Sequence, residues 1–176
     1  DQVIEAGSGG TDTVKSAKTL DYAYRMGLDN TLGMFSLRGA YQFVGANYNS
    51  PGSPTTVKDR ISQDVTAGLR LSRLGNVSIS YNQYKDNIAA QPDKGKAITT
   101  QNIVSANTGV TIPKLPQVSI GYSKNAITGV PADGSGTKIV DNNTALVSGG
   151  IAYTLKKVTL SAGSQKAVFT DTLKVT

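Results

Sequence analysis

Apolar and polar residues alternate one for one along much of this chain. In 64–73, Val65, Ala67, Leu69 and Leu71 share one parity, and Thr66, Gly68, Arg70 and Ser72 the other. A period of two is the mark of a strand with unlike faces. The run 77–84 repeats it, with Val77, Ile79 and Tyr81 against Ser78, Ser80 and Asn82. Only Leu74, Gly75 and Asn76 lie between the two runs, which predicts a hairpin turn there.

The unit recurs. Residues 104–112 alternate, the turn Pro113, Lys114, Leu115, Pro116 follows, and Val118, Ile120 and Tyr122 alternate with Ser119, Gly121 and Ser123. Proline supplies no ladder donor and suits a strand end. A third copy runs from Ala145 through Leu155, turns near Lys156 and Lys157, and returns through Val158, Leu160 and Ala162. An earlier copy has Leu20, Tyr22, Tyr24 and Met26 on one parity, an expected turn at Leu28, Asp29, Asn30 and Thr31, and a return strand over about 33–44 whose Phe35, Leu37, Tyr41 and Phe43 share a face. The expected hairpins are therefore about 20–44, 64–85, 103–125 and 143–170, a spacing that reads as an internal repeat. Residues 1–19 are expected as an N-terminal loop or linker and 20–176 as one β-unit.

Between hairpins lie long segments, about 45–63, 86–102 and 126–142, which hold Pro51, Pro54, Pro92 and Pro131 and many Gly, Asn and Asp residues. These are loop compositions. Short turns thus fall at one end of the sheet and long loops at the other. That is the arrangement of outer-membrane barrels, and runs of about nine to eleven residues suit a tilted crossing strand. The expected fold class is all-β, an antiparallel up-and-down meander of about eight strands forming a segment of a larger transmembrane β-barrel. Eight strands alone enclose an interior that side chains must fill, and the Ser, Gly and Thr of the polar parity fill little. The stretch 171–176 reads as the start of another strand.

Composition narrows the chemistry. The chain has no His and no Cys. Serine and cysteine triads, the usual zinc sites and disulfides are therefore excluded. The carboxylates Asp59, Asp64 and Asp86 lie near loops at no pairing spacing, so no enzymatic role is expected. The net charge of +6 is spread along the chain without the basic-aromatic stripe of a nucleic-acid groove. No run approaches the ~20 apolar residues of a membrane helix. Gly7 to Gly10 and Gly134 to Gly136 lack the strand-to-helix setting of phosphate loops.

The polar parity is mainly Ser, Gly, Thr and Asn, with few mid-strand charges. Asp21, Arg25, Arg38 and Arg70 are the candidate lumen-facing charges. In a pore the arginines would favour anions; alternatively an inward pair such as Asp21 with Arg38 ties strands together. Tyr22, Tyr24, Tyr81, Tyr122 and Tyr153 all lie on the apolar parity. They are candidate anchors at the membrane interface, or else pack across strands of a soluble sandwich. Asp12, in a Gly-rich stretch resembling segments beside calcium-binding repeats, is the one metal candidate, for calcium. A single copy is weak, because such sites need stacked repeats, and no other cofactor is expected.

The hairpins 65–84, 104–122 and 145–169, with the stretch 35–49 (FSLRGAYQFVGANYN), resemble strands of large outer-membrane porin-like barrels. They are nearest to the S-layer-like SLH-porin barrels of the Deinococcus–Thermus group. The resemblance covers 20–170 by strand pattern. It implies a structural cell-envelope role with passive, porin-like passage of small solutes, at the bacterial outer membrane or cell surface. The partners implied are a lipid bilayer, the rest of a larger barrel or other envelope subunits, and, as an open alternative, further copies of the chain; nucleic acid is not among them. The rival reading is a secreted β-rich adhesin or surface-layer domain without a pore, in which the apolar faces pack on each other.

Overall fold

The structure, a computed structural model, describes residues 2–6, 10–14, 21–49, 57–90, 96–155 and 158–173. Two strands, β1 (Gln2–Ala6) and β2 (Gly10–Val14), form an antiparallel ribbon. The expectation of a plain loop over 1–19 is corrected to that extent. The remaining strands are β3 (Ala23–Leu32), β4 (Phe35–Val44), β5 (Arg60–Arg70), β6 (Gly75–Asp86), β7 (Ile98–Val110), β8 (Gln117–Val130), β9 (Val140–Leu155) and β10 (Val158–Asp171). They make one eight-stranded antiparallel meander in chain order, open between its edges β3 and β10.

Most boundaries follow the hydrophobic alternation, and the departures have local causes. The β3–β4 turn is Gly33-Met34, not 28–31. Asp29 and Asn30 look like turn residues, but Asp29 faces Arg38 across the ladder and binds it. Gly33 has φ +59° while Met34 does not enter the left-handed region. Glycine first in a two-residue loop is the type II′ pattern, whose twist matches the flanking strands. The next turn occupies 71–74, just before the expected Leu74, Gly75 and Asn76, closed by the Leu71 N–H donating to the Gly75 carbonyl at 2.8 Å. The turn through Pro113 lies where the prolines place it; the Lys156–Lys157 turn lies outside the described residues. At the other end the strands run further than the alternation suggested, so the long connections shrink to 45–59, 87–97 and 131–139.

Register makes the faces continuous. Along one ladder row Phe35 stands opposite Leu69, then Val77, Thr108, Ile120, Gly149 and Ser164. Phe35 opens β4, whereas Ser164 lies six residues into β10. The short-turn edge therefore slips by about one residue per strand. With ~3.4 Å per residue and ~4.8 Å between strands, that is a slope of about 35°, the lower end of strand tilt in barrel walls. The long-loop edge is level instead: Val44, Arg60, Asp86, Thr99, Gly129 and Val140 fall on one row. Strands consequently lengthen from 10 residues in β3 to 16 in β9.

Among the described residues there is no conventional core, and Val44 is the one buried hydrophobic side chain. The chain exposes 13151 Å², against about 8,200 Å² for a compact globule of its mass.

Candidate functional site: the two faces of the sheet

The register puts one parity of all eight strands on a single face. That face carries Leu28, Leu32, Phe35, Leu37, Val65, Leu69, Val77, Ile79, Val104, Val110, Val118, Ile120, Val147, Ile151, Leu155, Val158 and Leu160. It is the more exposed face: Ile79 is 54 % exposed, while Ser78 and Ser80 on either side are half-buried. The same inversion holds in β9, where Val147 and Ile151 are exposed and Ser148, Gly150 and Ala152 half-buried. The polar face is thus the more sheltered of the two, as the concave face of a curled sheet would be.

A line of aromatic side chains crosses the apolar face. Tyr41 and Tyr81 each stand six residues above the first residue of their strand, Phe35 and Gly75, and Tyr122 stands five above Gln117. They lie on a line parallel to the short-turn edge. Tyr22, Tyr24, Tyr41 and Phe43 stack at its β3–β4 end, with ring centroids 5.3–6.1 Å apart. Below the line Asn30, Thr108 and Ser164 interrupt this face; just beyond it the longer polar side chains Gln63, Gln83, Asn102, Lys124 and Lys166 gather. Three of the rim groups interlock, with Gln83 Nε2 donating to Asn102 Oδ1 at 2.7 Å and to the Tyr81 hydroxyl at 3.0 Å, and that hydroxyl donating to Asn102 at 3.1 Å. Seven to eight tilted residues span roughly 20 Å, and Leu71, Leu74, Ile112 and Leu115 in the turns extend the exposed apolar zone below. An outer-membrane barrel presents an apolar band of ~25 Å. Tyr153 sits on the same face near the lower edge, where its cross-strand partner is Leu160.

The polar face is built of Ser, Thr, Asn, Gln and Gly. Ser80 and Ser105 hydroxyls meet at 2.6 Å and Gln101 donates to Asn125 at 3.1 Å. Ile103, Ile127, Leu146 and Phe169 interrupt it. Its charges gather in β3–β6. Arg25, Arg38 and Arg70 all lie here, together with Arg60, Asp29, Asp64 and Asp86. Arg38 binds Asp29 at 2.7 Å, and Arg60 chelates Asp86. The expected Asp21–Arg38 pair does not form. Asp21 precedes β3 and caps backbone instead, accepting the N–H groups of Tyr22 at 2.8 Å and Asn47 at 2.6 Å.

Asp12 falls in β2, opposite Ile4. Among the described residues no three acidic side chains gather into a cation-binding group. In the loop after β8, Asp133 accepts the Ser135 N–H at 2.9 Å, which holds its carboxyl below the usual range.

A segregation of cations went unread in the sequence although parity alone encodes it. Among the described residues of β3–β10, the four strand arginines (Arg25, Arg38, Arg60, Arg70) are on the polar face. The three strand lysines, Lys85, Lys124 and Lys166, are on the apolar one. Tyr41 and Phe43 shared the apolar parity in the sequence, but their part in the aromatic line emerged only with the register. Comparison with known proteins found no matching family model, no similar curated protein and no similar solved structure.

Proposed function

We propose that this sheet is a wall segment of a larger outer-membrane β-barrel, its apolar face on lipid and its polar face toward a lumen. Its role is structural in the cell envelope, with passive, porin-like passage of small solutes and no catalysis. The observation that carries the reading is the inverted exposure, apolar residues outward and Ser, Thr and Asn sheltered. A water-soluble sheet hides its apolar face. An exposed apolar surface this continuous marks an interaction with membrane or protein. The 35° stagger, the tyrosine line and the polar rim above it support lipid as the covering medium, in keeping with the SLH-porin resemblance.

The test begins with fractionation: the native protein should pellet with outer membranes and need detergent for release. The chain has no Trp, so single tryptophans then report each face. In bilayers, brominated lipid should quench Ile79→Trp strongly and Ser80→Trp weakly. Protein that stays soluble without detergent would instead make Val65, Leu69, Ile79 and Ile120 a buried interface and favour the adhesin or surface-layer reading.

A further inference from the structure

We infer that Lys85, Lys124 and Lys166 form a contact row for the phosphate groups of anionic lipids in the leaflet on the long-loop side. This rests on the membrane reading above and adds a lipid class and an orientation to it. The three lysines occupy alternate strands, β6, β8 and β10; Lys124 is four residues off the ladder row of Lys85 and Lys166 two off that of Lys124, which puts neighbours about 17 and 12 Å apart. All are exposed on the apolar face. They stand ten, seven and eight residues above Gly75, Gln117 and Val158, beyond Tyr81 and Tyr122 where those strands carry one.

Their surroundings leave the charge for an external partner. Lys85 lies opposite Ile61 and Thr100, Lys124 opposite Val104 and Ala145, and Lys166 opposite Val147. Among the described residues none of the three makes an ion pair. Within β3–β10 the one carboxylate on this face is Asp141, nearer the loops and bound to Lys138 at 2.9 Å. The amides of Gln83 and Asn102 stand in the same rim. A lysine in this position lays its aliphatic stem on apolar surface and lifts its ammonium to headgroup level. An ammonium is a compact point charge suited to phosphate. Arginines on the polar face cannot take part, which makes the lysine row a one-sided positive edge at one membrane boundary.

The experiment uses the full chain in bilayers of equal parts phosphatidylcholine and phosphatidylglycerol, brominating one lipid at a time and reading quenching of the native tyrosines. The expected result is a preference for phosphatidylglycerol of roughly tenfold. It should fall to parity in the triple variant Lys85→Gln, Lys124→Gln, Lys166→Gln and persist when Lys114 and Lys138 are changed to Gln instead. If the triple variant does not insert, Lys124→Gln alone should lower the preference and Lys124→Arg restore it. Inorganic phosphate should not compete; competition would assign the row to free phosphate and overturn the lipid assignment. Equal quenching by both lipids in the unaltered protein overturns the inference but leaves the membrane reading standing. No quenching by either lipid overturns the membrane reading itself.

Discussion

Arg60 and Asp86 face each other at the loop end of β5 and β6. The guanidinium holds the carboxylate through two nitrogens, Nη2 at 3.0 Å, and lies 5.7 Å from the Tyr84 ring centre. Their side chains are 33 % and 39 % exposed, so water screens much of the attraction. A double-mutant cycle with Arg60→Ala and Asp86→Ala should give a coupling of about 1 kcal/mol, the upper end for solvent-reached pairs. Unfolding in detergent micelles at low and high salt is the measurement, with the coupling shrinking as salt rises. A cycle that closes to zero would mean the pair contributes geometry without stability.

One substitution at Ile120 tests whether the apolar face meets water or is covered by lipid. This side chain is 55 % exposed, and at an exposed site in a water-soluble sheet Ile120→Arg should change stability by no more than about 0.5 kcal/mol. On a lipid-facing strand the same change should cost about 2–4 kcal/mol. Ser119→Arg, one residue away on the polar face, is the control and should be nearly silent. Reversible unfolding from lipid vesicles distinguishes these outcomes.

The inner arginines should contribute unequally to ion selectivity. Arg38 is neutralised by Asp29, and Arg60 by Asp86, whereas Arg25 and Arg70 make no ion pair among the described residues. In planar-bilayer recordings of the full protein, Arg25→Ala and Arg70→Ala should each shift the reversal potential away from anions. Arg38→Ala should do less, and Asp29→Asn should move it the other way. Unchanged selectivity in all four variants would falsify a luminal position for these residues.

Gly33 carries the type II′ turn by conformation alone. An added Cβ would meet nothing within 4 Å, yet φ is +59°. Gly33→Val should therefore destabilise the β3–β4 hairpin by about 1–2 kcal/mol, and Gly33→Asn by less. Equilibrium unfolding of the two variants checks the order.

Strands and faces were legible because alternation is a strictly local signal: the parity of Val65, Ile79 or Val147 follows from a few neighbours. What the sequence hid was non-local. Asp29 and Asn30 carry turn chemistry, and only the partner Arg38, on the returning strand, keeps them in the ladder. The strand ends beside the long loops lose alternation, as at Asn142-Asn143-Thr144, yet remain paired with β8 and β10. Register is fixed by all the hairpins together, so the line through Tyr41, Tyr81 and Tyr122 is invisible along the chain. The lysine and arginine faces were readable by counting parity from Val77 or Leu37; the charges had looked scattered only because they were taken one at a time.

With Val44 alone fully sheltered among the described residues, hydrophobic collapse in water offers this sheet no interior to form. Whatever surface covers the outward residues supplies the driving force for pairing the strands as well. On the proposed membrane reading, acquiring the fold and arriving at the final location are one event, and the chain before it is unfolded and in need of an escort rather than a finished domain in search of a site.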